Sequence, residues 1–304
     1  MPVIFISRGT MSGVHLLVDC LHSKTGTRCI SHEDLVSDVN KHGEIAARVL
    51  EKLAEAASAY DQFSELRWPY MVLMRKALLE EIRYDHVVYH GYSGHLLLPH
   101  LRHLVRVRIE APLQMRLTMT MQRLACDEKK AREYIVNADD QRIKWARFMY
   151  AQDIRDTMLY DITVNLDRVS LKAACAVLEC IMAEEDFQAS RESRAEVEQL
   201  YLATAIEESL VTDPRTATME IRADVQSDGV SLIGPYLESD ELTTIMEIVQ
   251  AAVSGTMDIR YSPGYASKFE DNRQFRTWIH EYGMGMDKNY NPASSRHQEG
   301  KHNG

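Results

Sequence analysis

The chain has 304 residues, of which 45% are hydrophobic and 26% charged, and its net charge at neutral pH is −10. That length allows one large domain or two ordinary ones, with ample material for a core. The acidic balance speaks against nucleic acid as a partner, because broad nucleic-acid binding needs basic clusters that displace phosphate counterions, and no apolar run approaches the length of a membrane span.

Residues 3–6 form a short apolar, β-branched run that ends at Ser7-Arg8-Gly9, the pattern of a buried strand opening into a loop. Residues 15–23 then place Leu16, Leu17, Cys20 and Leu21 on one helical face, and Gly26 ends that helix. Ser31 followed by Asp34 reads as a helix start, since a hydroxyl can cap exposed N–H groups. Residues 45–60 and 70–82 carry helical periodicity. Residues 85–91 read as a second buried strand ending in glycine. Residues 104–110 alternate apolar and charged side chains as a third strand, which Ala111-Pro112 ends. Helices follow over 113–125 and 127–150, then a fourth strand over 160–165 and a helix over 170–182.

Strands alternating with helices imply an α/β fold, a mainly parallel sheet covered on both faces. Ligands of such sheets bind beyond the C-terminal ends of the strands. The segments to inspect are therefore 7–15, 90–94, 110–116 and 165 onward. Residues 184–196 are polar and charged and read as a linker. Beyond them the pattern becomes helix (197–211), strand (216–225), a Ser227-Asp228-Gly229 turn, strand (230–237), a helix from Ser239 to 253, and a strand over 257–261. That order describes a small α+β module over 197–262. Residues 284–304 are polar and read as a disordered tail.

The five cysteines form no CxxC pair, which suits free, mostly buried thiols in a reducing compartment. The amino-terminal stretch lacks the basic-then-apolar pattern of a secretion signal. A cytoplasmic location is the resulting expectation. There are twelve histidines, and His86 and His90 share strand parity. No HExxH and no zinc-type Cys/His spacing occurs, so no metal held by protein ligands alone is expected.

The first strand leads into Gly9-Thr10-Met11-Ser12-Gly13-Val14-His15-Leu16, which aligns with the G-x-x-x-x-G-K-[ST] phosphate loop. Only the first glycine of that pattern is kept. Val14 stands at the second glycine, His15 at the lysine and Leu16 at the magnesium-binding hydroxyl. The segment from Ile4 to Gly13 nevertheless resembles the opening of the cytidylate kinase-like family, which often has an I-S-R run and a glycine-rich turn without the lysine. Further resemblances follow in the same order. His90-Gly91-Tyr92-Ser93-Gly94 resembles a strand-end G-R-G-type turn, with Tyr92 in place of the arginine. Ala111-Pro112 with Arg116 resembles A-P-x-x-x-R. Asp139 with Arg142, followed by Trp145 and Tyr150, resembles D-x-x-R and its aromatics. Tyr160-Asp161 with Asn165 resembles Y-D-x-x-x-N. The resemblance covers residues 1–183 and implies a P-loop, nucleoside monophosphate kinase-like sheet flanked by helices. It implies ATP and Mg2+ as cofactors and phosphoryl transfer to CMP or a related nucleotide.

By that resemblance, Arg8, Gly9, Thr10, Ser12, Gly13 and His15 would meet the donor phosphates. Arg116, Arg142 and Arg147 would clamp the transferring group, and His90, Gly91 and Ser93 would lie near the acceptor. Catalysis of this kind is mostly positioning and charge neutralisation. The departures oppose it: histidine is shorter than lysine and largely uncharged at neutral pH, Val14 adds a side chain where backbone should approach phosphate, and Leu16 cannot ligate magnesium. Each arginine has a plainer alternative as a solvated or ion-paired surface residue. Residues 197–262 resemble a BON domain, on Leu210-Val211-Thr212-Asp213-Pro214-Arg215 and the spacing of Gly229, Gly234 and Gly255; that resemblance implies a module for membranes, ligands or protein partners. Two functions stay open: a kinase-like nucleotide-binding enzyme, or a silent kinase-like scaffold or sensor acting through the second module.

Overall fold

Strand β1 (Val3–Arg8) is apolar on both faces because it lies in the middle of a sheet that is covered on both sides. Val3 and Phe5 point into one core, Ile4 and Ile6 into the other. The computed structural model describes residues 2–39, 64–98, 101–226, 228–253 and 257–264. The sheet has five parallel strands in the order β2 (Arg28–Ser31), β3 (Val87–Gly91), β1, β4 (Leu104–Glu110) and β5 (Ile162–Asn165). β1 pairs with β3 and β4, so its C-terminal end sits beside the ends of both.

Helices α1 (Val14–Thr25) and α7 (Leu171–Ala183) cover one face, burying Leu17, Leu21, Ala174 and Leu178 against Ile4, Val88 and Val107. The other face is covered by α2 (His32–Val39), α3 (Ser64–Ile82) and α6 (Glu128–Tyr150), through Leu35, Leu78, Trp145 and Met149. A short turn of helix, α4 (Gly94–Leu97), follows β3, and α5 (Leu113–Leu124) follows β4. α5 and α6 pack on each other through Leu117, Ala131 and Ile135. Asp127 caps α6 by accepting from the Lys130 amide at 2.8 Å, and Ser170 caps α7 by accepting from the Ala173 amide at 3.2 Å.

Helix α8 (Arg191–Thr212) begins within the stretch read as a linker, where Ser190 and Ser193 cap each other's backbone amides. Val197 and Val211 join the core beneath α3, whereas Ala203, Ile206 and Leu210 join a third core with β6 (Arg222–Gln226), β7 (Gly229–Gly234), β8 (Asp258–Pro263) and α9 (Ser239–Ala252). β6 and β7 are antiparallel, and β7 and β8 are parallel. One helix therefore serves two cores, and residues 1–265 form one compact unit. A buried ion pair crosses the junction: Arg75 on α3 meets Glu207 on α8, and Glu207 also accepts from the Ala223 amide at 3.0 Å.

Several expectations are corrected. β2 was absent from the sequence reading. Asp85 and His86 adopt left-handed backbone, so His86 stands outside β3 and shares no strand face with His90. The strand placed at 216–225 begins only at Arg222, because Thr216 bonds back to the Leu210 carbonyl at 2.6 Å. The helix cap placed at Ser239 falls to Glu238, whose amide donates to the Glu241 carboxylate at 2.9 Å. Cys20 and Cys175 are paired as a disulfide joining α1 to α7, so two of the thiols expected to be free are not, and Cys180 is exposed. The helix expected at 45–60 and the tail at 284–304 lie outside the described residues. Among the described residues, no helix is long and apolar enough to cross a membrane.

Candidate functional site

The loop between β1 and α1 leaves the C-terminal end of the central strand, where a parallel sheet places its ligands. Met11 (φ 55°) and Gly13 (φ 78°) both take left-handed backbone, folding residues 9–13 into a tight turn. Gly13 precedes the first turn of α1 with no side chain capping it. A Cβ at Gly13 would come within 3.1 Å of the Met115 Cε on α5, so glycine serves both the backbone angle and the close approach of that helix. Thr10 and Ser12 are buried, yet among the described residues neither hydroxyl has a hydrogen-bond partner, and the Arg8 Nε is likewise without one.

Three guanidiniums gather at this turn. Arg116 on α5 donates from Nε to the Thr10 carbonyl at 2.7 Å and from Nη2 to Asp139 Oδ2 at 2.5 Å. Asp139 on α6 accepts in turn from the Thr10 amide through Oδ1 at 3.3 Å. Arg8 holds Glu33 with Nη2, at 2.7 and 2.8 Å to the two carboxylate oxygens. Arg142, one turn beyond Asp139, reaches only the Arg8 carbonyl at 3.4 Å and lies 5.4 Å from the centre of the Tyr92 ring. No carboxylate among the described residues forms an ion pair with it. Burial and the neighbouring Arg8 charge push its guanidinium below the ordinary arginine range, against a smaller pull the other way from Tyr92, Asp139 and Glu33. Three cations thus face two carboxylates, and Arg142 is the one of the three with no carboxylate in ion-pair contact among the described residues.

A polar chain runs from this cluster into the core. The Tyr92 hydroxyl is 3.0 Å from His32 Nε2, and His32 Nδ1 is 3.2 Å from the Tyr89 hydroxyl. Burial, opposed by Glu33 and helped by Arg8 and Arg142, brings His32 down to about 4, so the ring is neutral at pH 7. His90 is lowered by burial and by Arg8, and its Nδ1 has no partner. Ser93 is buried, beside Tyr150. Gly91 and Gly94 have a packing reason to be glycine: a Cβ at either would overlap the Tyr89 ring.

The sequence-predicted residues divide accordingly. Arg8, Gly9, Thr10, Ser12, Gly13, Arg116 and Arg142 come together. His15 and Leu16 are exposed on the first turn of α1, while Val14 is buried in the core beneath it. Arg147 is held by Asp153 at 2.8 Å and is not among the residues meeting at the loop. His90, Gly91 and Ser93 cluster at the end of β3, beside the loop. Asp161 binds the Arg106 backbone and guanidinium, and the Tyr160 hydroxyl lies 3.2 Å from Ser7 Oγ. Asp139, Tyr92, His32 and Glu33 had no assigned role in the sequence reading. The D-x-x-R spacing could have flagged Asp139, but nothing local pointed to His32 or Glu33. Among the described residues, no group of three or more His, Cys, Asp or Glu side chains is placed to hold a metal ion.

Comparison with solved structures finds an uncharacterised protein from Eubacterium ventriosum, 19% identical over 60% of this chain and 97% of that one, with a TM-score of 0.47. TT1252 from Thermus thermophilus is 18% identical over 60% and 97%, with a TM-score of 0.42. Shikimate kinase from Bacteroides thetaiotaomicron is 14% identical over 60% and 99%, with a TM-score of 0.36. Comparison with curated proteins finds no match. A family model, that of the cytidylate kinase-like family, matches residues 3–168. That span contains the whole five-stranded sheet, the loop and every arginine gathered at it, and by it the chain belongs to the cytidylate kinase-like family.

Proposed function

We propose that this protein binds a nucleotide with its phosphates at the 9–13 loop, using cations brought by α5 and α6 in place of a loop lysine. The observation that carries the reading is Arg142, a largely buried guanidinium in ion-pair contact with no carboxylate of the described residues, beside two buried hydroxyls that lack partners among them. Burying a cation without a counter-charge is costly, and buried hydroxyls are normally bonded. A phosphoryl group would answer both, since it brings negative charge and several acceptor oxygens.

In this reading Arg142, Arg116 and Arg8 neutralise phosphate charge, and Thr10 and Ser12 orient its oxygens. The acceptor, CMP or a related monophosphate, would lie toward His90, Gly91 and Ser93. The nucleotide phosphates suit the donor set. Magnesium held in the manner of a P-loop does not: Leu16 stands at the hydroxyl position, and Glu33 and Asp139 are both committed to arginines. No step is therefore assigned to Mg2+. The exposed His15 and Leu16 favour a second reading, a silent kinase-like sensor whose helix–hairpin–helix–strand module, residues 197–262, acts as a BON-like reader for a protein partner.

The test is calorimetric titration of the full chain with ATP and with CMP, with and without magnesium, followed by a turnover assay. Saturable binding of ATP with measurable CMP phosphorylation supports the enzyme. Binding without turnover supports the sensor. A folded protein that takes up neither nucleotide would end both.

A further inference from the structure

We propose that the Asp139 carboxylate stands in the position of a phosphoryl group, latching α5 and α6 over the loop, and that a phosphate binds by displacing it. The proposal rests on the nucleotide-binding reading above and adds how access to that site is controlled.

The argument begins with donors. A phosphate at a loop of this kind is bound by backbone N–H groups and guanidiniums. Asp139 already takes one of each: the Thr10 amide at 3.3 Å and the Arg116 Nη2 at 2.5 Å. Arg116 at the same time grips the Thr10 carbonyl at 2.7 Å. Thr10 is thus held at its N–H by a residue of α6 and at its C=O by a residue of α5. Met115 and Met119 of α5 also close on Gly13, where an added Cβ would meet them at 3.1 and 3.6 Å. With both helices drawn against the turn, a phosphoryl oxygen reaches the Thr10 amide only if Asp139 withdraws.

Withdrawal is favoured by charge. Asp139 contributes a single negative charge to a cluster whose positive charge is not balanced, and a phosphoryl group brings about one and a half to two. Asp139 is also poised to leave, because its side chain is 33% exposed against 14% for Arg116, so it can turn to water while the arginine stays. Its hydrogen bond to Thr10 is long, near the outer limit for an N–H donor. The buried Thr10 and Ser12 hydroxyls, which Asp139 does not satisfy, give the incoming group contacts that the carboxylate cannot make.

The experiment compares the full-length wild type with Asp139→Asn and Asp139→Ala, titrating each calorimetrically with inorganic phosphate and with ATP at fixed ionic strength. Hydrogen exchange of peptides spanning residues 8–14 is followed in parallel. The latch predicts affinity at least about tenfold tighter in the variants, the loss of one charge-assisted hydrogen bond that the ligand must otherwise break. It also predicts faster exchange of the ligand-free loop in Asp139→Ala. Should the wild type bind, and a variant that melts normally bind no tighter or more weakly, the latch is overturned while the nucleotide reading stands. Silence from wild type and variants alike removes both. If the alanine variant fails to fold, the near-isosteric asparagine variant still decides between tighter and unchanged binding.

Discussion

Replacing Arg142 with methionine should stabilise the protein and at the same time weaken its hold on phosphate. Desolvating an unpaired ion costs several kcal/mol when burial is complete. Arg142 is only partly exposed, and what it receives in return is small. A 3.4 Å contact to the Arg8 carbonyl is at the limit of a hydrogen bond, and the Tyr92 ring at 5.4 Å offers about 0.5–1 kcal/mol. The Arg8 charge opposes it, and the favourable pull of Asp139 and Glu33, both committed to other arginines, offsets this only in part. Methionine keeps much of the stem's apolar volume and removes the charge, so a gain of about 1–2 kcal/mol is expected. For a chain of this size that is a rise in melting temperature of roughly 2–3 °C. Loss of charge-assisted bonds to a phosphate should cost about 1.5–3 kcal/mol, or roughly tenfold to a hundredfold in Kd. Scanning fluorimetry without ligand and titration with ATP measure the two effects separately. Arg142→Lys, which keeps the charge but not the planar fork, should fall between. A methionine variant that melts lower than wild type and binds ATP as well would refute the reasoning, because it would make Arg142 a structural residue.

Other outcomes follow from buried groups elsewhere. Glu207→Ala leaves Arg75 and the Ala223 amide without their shared carboxylate, and should destabilise by about 3–5 kcal/mol. Because α8 belongs to two cores, urea unfolding of this variant should remain a single transition, and two separated transitions would contradict the shared helix. His32 and His95 are lowered by burial to about 4 and about 3, against about 6.5 in an unfolded chain. Their folded values are depressed, so their contribution is complete above pH 6.5 and is lost as pH falls towards the folded values. Each should cost on the order of 2 kcal/mol by pH 4.5, and urea midpoints that stay flat from pH 7 to 4.5 would exclude this. Denatured, unreduced protein should titrate three thiols, Cys29, Cys126 and Cys180, with Cys20 and Cys175 appearing only after reduction; five reactive thiols at the outset would exclude the disulfide.

Local chemistry made much of the fold legible. The alternation over residues 104–110 marks β4 to the residue, and Asp127 and Ser170 announce α6 and α7 because each cap is completed within three residues. β2 escaped notice since only Ile30 of its four residues is buried, too few to show a period. The start of α8 was read late because Ser190 and Ser193 cap it reciprocally ahead of the apolar stripe. At the site, motif order brought Arg116 and Arg142 to the loop, but their partners were a matter of tertiary packing. Arg147 sits on the same helix as Arg142 and reads the same way in sequence, yet one is paired with Asp153 and the other forms no ion pair among the described residues. The strand-end glycines suggested a turn around a ligand, whereas the Tyr89 ring accounts for Gly91 and Gly94 without one. A one-dimensional pattern reports which residues are at hand and not which neighbour satisfies them.

The departures at Val14, His15 and Leu16 take on a common meaning beside the arginines. A loop lysine carries its positive charge on the same segment as the phosphate amides, so the anion site exists whatever the surrounding helices do. Here Val14 packs into the core, His15 and Leu16 face outward, and the positive charge comes from Arg116 on α5, Arg142 on α6 and Arg8 at the end of β1. An anion site assembled from three elements exists only when those elements are docked. The Arg116 bond to the Thr10 carbonyl and the packing of Met115 and Met119 at Gly13 keep α5 docked without Asp139, which occupies the Thr10 amide that an anion would use. Binding and the position of Asp139 are therefore linked: a ligand shifts the balance between latched and displaced Asp139 only by contacts that differ between the two states. A change such as Asp139→Ala, which removes the latch, keeps all three cations and frees the Arg116 guanidinium of its carboxylate, should act on phosphate affinity in the opposite direction to Arg142→Met.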